Sequence, residues 1–176
     1  MYTVRGITIF FVKSFLLRPT ITIHSLDEIS ASPETFFIGL EDQTEIKKIV
    51  QNLDFRFLEG AIILKHGKEI LLDFSYYDYI DQLWGYFLNL IEEELNCGFS
   101  KTYFPDMPVE LTLTEISREL VRFSVDNQNN WVLPKVHFYT SLLDGAASFY
   151  KNIKKYSPEQ YDFEMEKIKN LRNKIS

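Results

Sequence analysis

The sequence predicts an α+β fold, a mainly antiparallel sheet of about six strands packed against a central amphipathic helix and two C-terminal helices. Three observations carry that expectation. Alternating segments rich in Ile, Val, Thr and Phe flank one strongly amphipathic stretch, residues 78–96. A tight loop containing Gly67 joins two of those segments as a hairpin. Two further stretches of helical period follow Pro134 and Pro158 and close the chain. A length of 176 residues fits one domain over 1–176.

The elements follow in order. Tyr2 to Val12 and Thr20 to His24 read as strands separated by Pro19, with Ile21 and Ile23 on one face. Ser30 to Pro33 reads as a loop and Phe36 to Leu40 as a short strand. Asp42 and Glu45 form a capping pair ahead of Ile46, Ile49, Val50 and Leu53, which places a short helix at 43–52. The hairpin runs from Ala61 to Lys65, turns at His66-Gly67 and returns over Lys68 to Phe74. In 78–96, Ile80, Leu83, Trp84, Phe87, Leu88, Ile91 and Leu95 form one apolar stripe, and Asn96 and Gly98 stop the helix. Pro105 and Pro108 mark a loop, and Val109 to Ile116 and Leu120 to Val125 alternate as strands. Asp126 to Asn130 is a polar turn, and Pro134 opens a helix that continues to about Tyr156. Ser157-Pro158-Glu159-Gln160 caps a final helix over 158–174, which buries Tyr161, Met165, Ile168 and Leu171.

Composition narrows the class. Hydrophobic residues make up 45% and aromatics 15%, as in a packed domain with a ring-rich core. The single cysteine, Cys97, excludes an internal disulfide, which agrees with a cytosolic setting. The apolar run from Ile7 to Leu17 is broken by Lys13 and Ser14, lacks a small-residue cleavage site and alternates as a strand does. No stretch approaches the roughly 18 uncharged apolar residues of a membrane span.

Chemistry-bearing motifs are sparse. A nucleophile elbow, a phosphate loop and a dinucleotide glycine pattern are absent from the sequence. His24, His66 and His137 have no His or Cys partner at metal-ligand spacing, so no metal or cofactor is expected. Cys97 follows a helix C-terminus beside Glu92 to Glu94, a setting that opposes a thiolate.

Charge is distributed unevenly. Between residues 69 and 100 stand Glu69, Asp73, Asp78, Asp81, Glu92, Glu93 and Glu94 without a Lys or Arg, in a chain of net charge −6. The same stretch holds Tyr76, Tyr77, Tyr79, Trp84 and Tyr86. On a helix, Asp78, Asp81, Gly85, Asn89 and Glu92 share one exposed strip, while Tyr79, Tyr86 and Glu93 share another. The three glutamates crowd the turn where the helix dipole disfavours them, and Gly85 interrupts the helix. Such a surface repels nucleic acid and anionic membranes and attracts cationic protein. The candidate partner-binding residues are therefore Asp78, Tyr79, Asp81, Tyr86, Glu92 and Glu93.

The stretch Tyr76 to Glu94, together with Tyr103-Phe104-Pro105-Asp106-Met107-Pro108, gives the chain an overall resemblance to small bacterial immunity proteins of toxin–immunity systems. That resemblance implies an acidic, cytosolic, non-enzymatic protein that neutralises a toxin by binding it. The expected function is thus engagement of a basic protein partner. Two alternatives stand beside it. One is a homo-oligomer with Tyr79 and Tyr86 at its interface, in which the acidic helix of one copy meets the basic C-terminal region of another. The other is an enzyme using His24 or His137 with a carboxylate.

Overall fold

The computed structural model describes residues 3–4, 7–158 and 160–175, residues 3–4 and 7–8 by their backbone alone. Tyr2, Arg5 and Gly6 of the first expected strand and Glu159 of the second capping box lie outside the described residues. The fold is α+β.

Strands β1 (Thr3–Val4) and β2 (Ile7–Thr8) pair as a small antiparallel ladder ahead of the long strand β3 (Phe10–Leu17). The expected first strand thus starts later and runs further. Lys13 and Ser14 fit within it because successive side chains alternate across the sheet. Lys13 reaches Glu41 at 2.6 Å, and Ser14 Oγ accepts the indole N–H of Trp84 at 3.0 Å.

The segment Thr20 to His24 forms no strand, although Ile21 and Ile23 pack on a small apolar cluster with Phe37 and Ala61. Helix α1 (Leu26–Ala31) follows, capped by the Ser25 hydroxyl, then α2 (Pro33–Phe36) with Pro33 at its start. β4 (Phe37–Gly39) leads to α3 (Gln43–Ile49), whose Asp42 cap accepts the Glu45 N–H, and a 3₁₀ turn completes this helix to Asn52.

β5 (Glu59–His66) and β6 (Glu69–Leu72) form the expected hairpin, with the turn one residue later than the sequence suggests. Gly67 adopts φ 62°, a conformation natural to glycine, while His66 stays in the ladder opposite Glu69 and stacks on Phe10 at 4.4 Å. β7 (Asp78–Tyr79) then pairs with β5. Together β4, β3, β5 and β6, with β7 beside β5, make a five-stranded antiparallel sheet.

Helix α4 (Ile80–Cys97) is the amphipathic helix read from the sequence, and it starts after Asp78 rather than at it. Gly98 ends it at φ 74°, returning its N–H to the Glu94 carbonyl. β8 (Phe99–Tyr103), β9 (Glu110–Glu115), β10 (Leu120–Val125) and β11 (Asn129–Pro134) form a second antiparallel sheet in the order β11-β10-β9-β8. Asp126 and Asn127, both left-handed at φ 54° and 55°, make the tight turn between β10 and β11.

Helices α5 (Lys135–Ile153) and α6 (Asp162–Ile175) close the fold. The last helix begins four residues later than the capping box implies, after a left-handed Tyr161 at φ 72°. α5 packs on β3, α4 on β5, β8 and β9, and α6 on α4 and α5. One core cluster therefore joins both sheets through the helices: Leu16, Ile62 and Leu64 from one, Leu113 and Phe123 from the other, and Trp84, Phe87 and Phe138 between them. Among the described residues no helix is long and apolar enough to cross a membrane.

Candidate functional site: an acidic helix and an acid-aromatic pocket

The strip expected to be exposed on the acidic helix is mostly covered by the chain itself. Asp81 accepts a hydrogen bond from the Tyr161 hydroxyl at 3.3 Å, and its other carboxylate oxygen is buried without a partner. Burial holds the Asp81 pKa above the usual carboxylate range. Lys167 spans Asn89 at 2.7 Å and Glu92 at 2.5 Å, and Lys174 approaches Glu92 at 3.6 Å. The hydrogen bond from Lys167 lowers the Glu92 pKa. Glu94 is wholly buried with Lys135 at 2.8 Å, and Lys135 also reaches Glu115 at 2.5 Å. Burial opposes the charge of Lys135, but its bonds to Glu115 and Glu94 outweigh that and raise its pKa. The sequence did not distinguish these cases, because the lysines that neutralise Glu92 and Glu94 lie 41 to 82 positions downstream of them.

Two candidate residues on α4 remain without a partner. Glu93 is exposed, and Tyr86 is half-buried with no ring contact or hydrogen bond among the described residues. The free acidic surface of α4 is thus smaller than the sequence suggests.

Asp78 corrects the helical assignment most clearly. It precedes α4, is 5% exposed, and its carboxylate accepts backbone N–H bonds from Tyr79 at 2.6 Å and from Asp106 and Met107 at 3.0 Å each. These bonds clamp the loop after β8 against β7. The clamp has a geometric result: Asp106 and Met107 are brought beside Glu59, Tyr77 and Tyr79. With Leu26 these residues line a pocket of about 210 Å³, and among the described residues no Lys or Arg lines it.

The pocket is electrostatically negative. Burial first, then the charges of Asp106 and Asp78, raise the Glu59 pKa. Asp106 above all, with burial, Glu59 and Asp78, raises that of the Tyr79 hydroxyl. The Tyr79 ring is buttressed by Phe57 at 5.6 Å, and Arg56, which lies over Phe57, is held by Asp54 at 2.9 Å. Glu59 and Asp106 escaped the sequence reading because they belong to a strand and a loop far from the helix. The available signal was the proline-flanked Asp106-Met107 pair.

The histidines stand apart. His24 and His137 are exposed, and among the described residues neither side chain bonds to a carboxylate. Burial lowers the His66 pKa. Cys97 is exposed at the end of α4. Among the described residues no group of three or more His, Cys, Asp or Glu is arranged to hold a metal ion.

Comparison of the chain with protein-family models, with curated proteins and with solved structures gives no match.

Proposed function

We propose that this is a non-enzymatic binding protein that engages a basic protein partner by taking a Lys or Arg side chain into the pocket between Glu59, Tyr79 and Asp106. The observation that carries this reading is the convergence of Glu59, Asp78 and Asp106 on one concave site walled by Tyr77, Tyr79 and Met107, with no basic residue in the lining among the described residues. A cation entering there meets carboxylates and aromatic side chains together. Burial first, and then Asp106 and Asp78, raise the Glu59 pKa, and an entering ammonium or guanidinium would offset those neighbouring charges. Tyr and Met walls suit a protein interface, and complementary charge speeds encounter. Asp78 acts here as the residue that positions the loop, and Tyr79 as a contact. The resemblance to immunity proteins supplies one class of partner, a cytosolic toxin with a basic surface.

The experiment is a titration of the full chain with short peptides carrying a central Arg, Lys or norleucine, followed by nuclear magnetic resonance. The Arg or Lys peptide is expected to shift the resonances of Tyr77, Tyr79 and Met107, and the norleucine peptide is not. Glu59→Gln with Asp106→Asn is expected to abolish the response while leaving the spectrum of the second sheet unchanged. An equal response from that double variant removes the proposal.

A further inference from the structure

The acidic strip of α4 is a socket already filled by a helix of complementary charge. Asp81, Asn89 and Glu92 on α4 and Asp144 on α5 meet Tyr161, Lys167, Arg172 and Lys174 of the C-terminal segment. We propose that two copies of the chain dimerise by exchanging α6, each socket receiving the helix of the other copy.

Three observations support the exchange. First, α6 joins the core through few apolar side chains: only Ile168 and Leu171 are buried on it, and Met165 and Ile175 are half-buried. Its polar contacts include the pairs named above and the Lys154–Asp162 ion pair, and none of them belongs to a strand ladder, so it can leave without breaking either sheet. Second, the chain reverses between α5 and α6 through a segment whose described residues form neither helix nor strand and which ends at Tyr161, φ 72°. A tyrosine holds that left-handed conformation only against a steric penalty, and opening the reversal relieves it. Third, socket and helix come from the same sequence, so a reciprocal exchange satisfies both copies and closes as a two-fold dimer without a free end. In the single chain, docking of α6 competes with an effective concentration on the order of millimolar. Exchange by the native chain is therefore a high-concentration event. This inference is independent of the pocket at Glu59, since no residue is shared between the two surfaces.

Charge reversal separates exchange from docking within one chain. One full-length variant carries K167E, R172E and K174E, and a second carries E92K and D144K. Alone, each repels its own helix; mixed, each helix finds a socket of opposite sign only in the other chain. Analytical ultracentrifugation is expected to show two monomers apart and a one-to-one dimer on mixing. Amide exchange in α6 should be fast in each variant alone and slow by about tenfold or more in the mixture. A mixture that sediments as monomers overturns the proposal, provided both variants keep the amide protection of β5 and β9. Should either variant lose that protection, the native chain decides: a dimer as its concentration approaches about 1 mM supports exchange, and a strict monomer there overturns it.

Discussion

At the scale of single residues, two glycines on neighbouring helices have opposite roles. A Cβ on Gly145 would lie 2.6 Å from Val12 Cγ1 and 2.8 Å from Trp84 Cη2, inside van der Waals contact. Gly145 is what lets α5 approach β3 and α4. Gly145→Ala is expected to destabilise the chain by about 1 to 3 kcal/mol through overpacking. On Gly85 the nearest atom to a Cβ is the Tyr150 hydroxyl at 3.8 Å, an ordinary contact. Gly85→Ala should therefore stabilise the helix, by up to about 1 kcal/mol. Urea unfolding of the two variants checks both signs. The Glu94–Lys135 pair is a second residue-scale case. Lys135→Ala leaves Glu94 wholly buried without its cation and is expected to cost about 3 to 5 kcal/mol, whereas Glu94→Leu with Lys135→Met should recover most of that loss. The same unfolding midpoints measure it.

At the scale of elements, α6 is held by two buried apolar side chains and a set of polar pairs. Burial of Ile168 and Leu171 contributes about 1.5 to 3 kcal/mol each, while each exposed ion pair adds about 0 to 1 kcal/mol. That sum is offset by the ordering of a 14-residue helix, so α6 opens more readily than the sheets. Its docking also depends on pH through Asp81. The folded pKa of this group lies above the unfolded value of 3.8, so the folded chain holds the proton more tightly. The ionised carboxylate consequently counts against stability at neutral pH. That penalty fades as pH falls through the raised pKa and is gone below the unfolded value. Asp81→Asn keeps an acceptor for Tyr161 and removes the titration. It is expected to be more stable than the native chain at neutral pH, and the difference should vanish in acid. A variant advantage that grows as pH falls would contradict the sign.

At the scale of the whole molecule, both sheets share one apolar cluster. Leu64 of the first and Phe123 of the second belong to it, and Trp84 and Phe87 connect them with ring centroids 5.9 Å apart. Unfolding is expected to be a single transition in which the fluorescence of Trp84 and Trp131 and the far-ultraviolet circular dichroism change together. Trp84 reports on the first sheet through Ser14, and Trp131 on the second through Phe123 at 6.0 Å. Two separated midpoints would mean that the sheets unfold independently.

The sequence by itself determined the α+β class, the hairpin of β5 and β6, the strands β9 and β10 and the amphipathic character of α4, because in each the apolar period is local and strong. It missed β8, whose inward face carries Ser100 and Thr102 rather than aliphatic side chains, and β11, which opens with two asparagines; pairing with β9 and β10 makes both into strands. It expected a strand at Thr20 to His24, where the alternation proved to serve a packed loop. Only the tertiary structure decided which carboxylates are free. The composition of residues 69–100 is acidic whatever the fold, but Asp78 became a loop clamp, Glu92 and Glu94 were paired with distant lysines, and Glu59 and Asp106 were gathered beside Tyr79. The physical reason is that helical and strand periods are set within a few residues, whereas compensation of a charge depends on side chains brought together from any part of the chain.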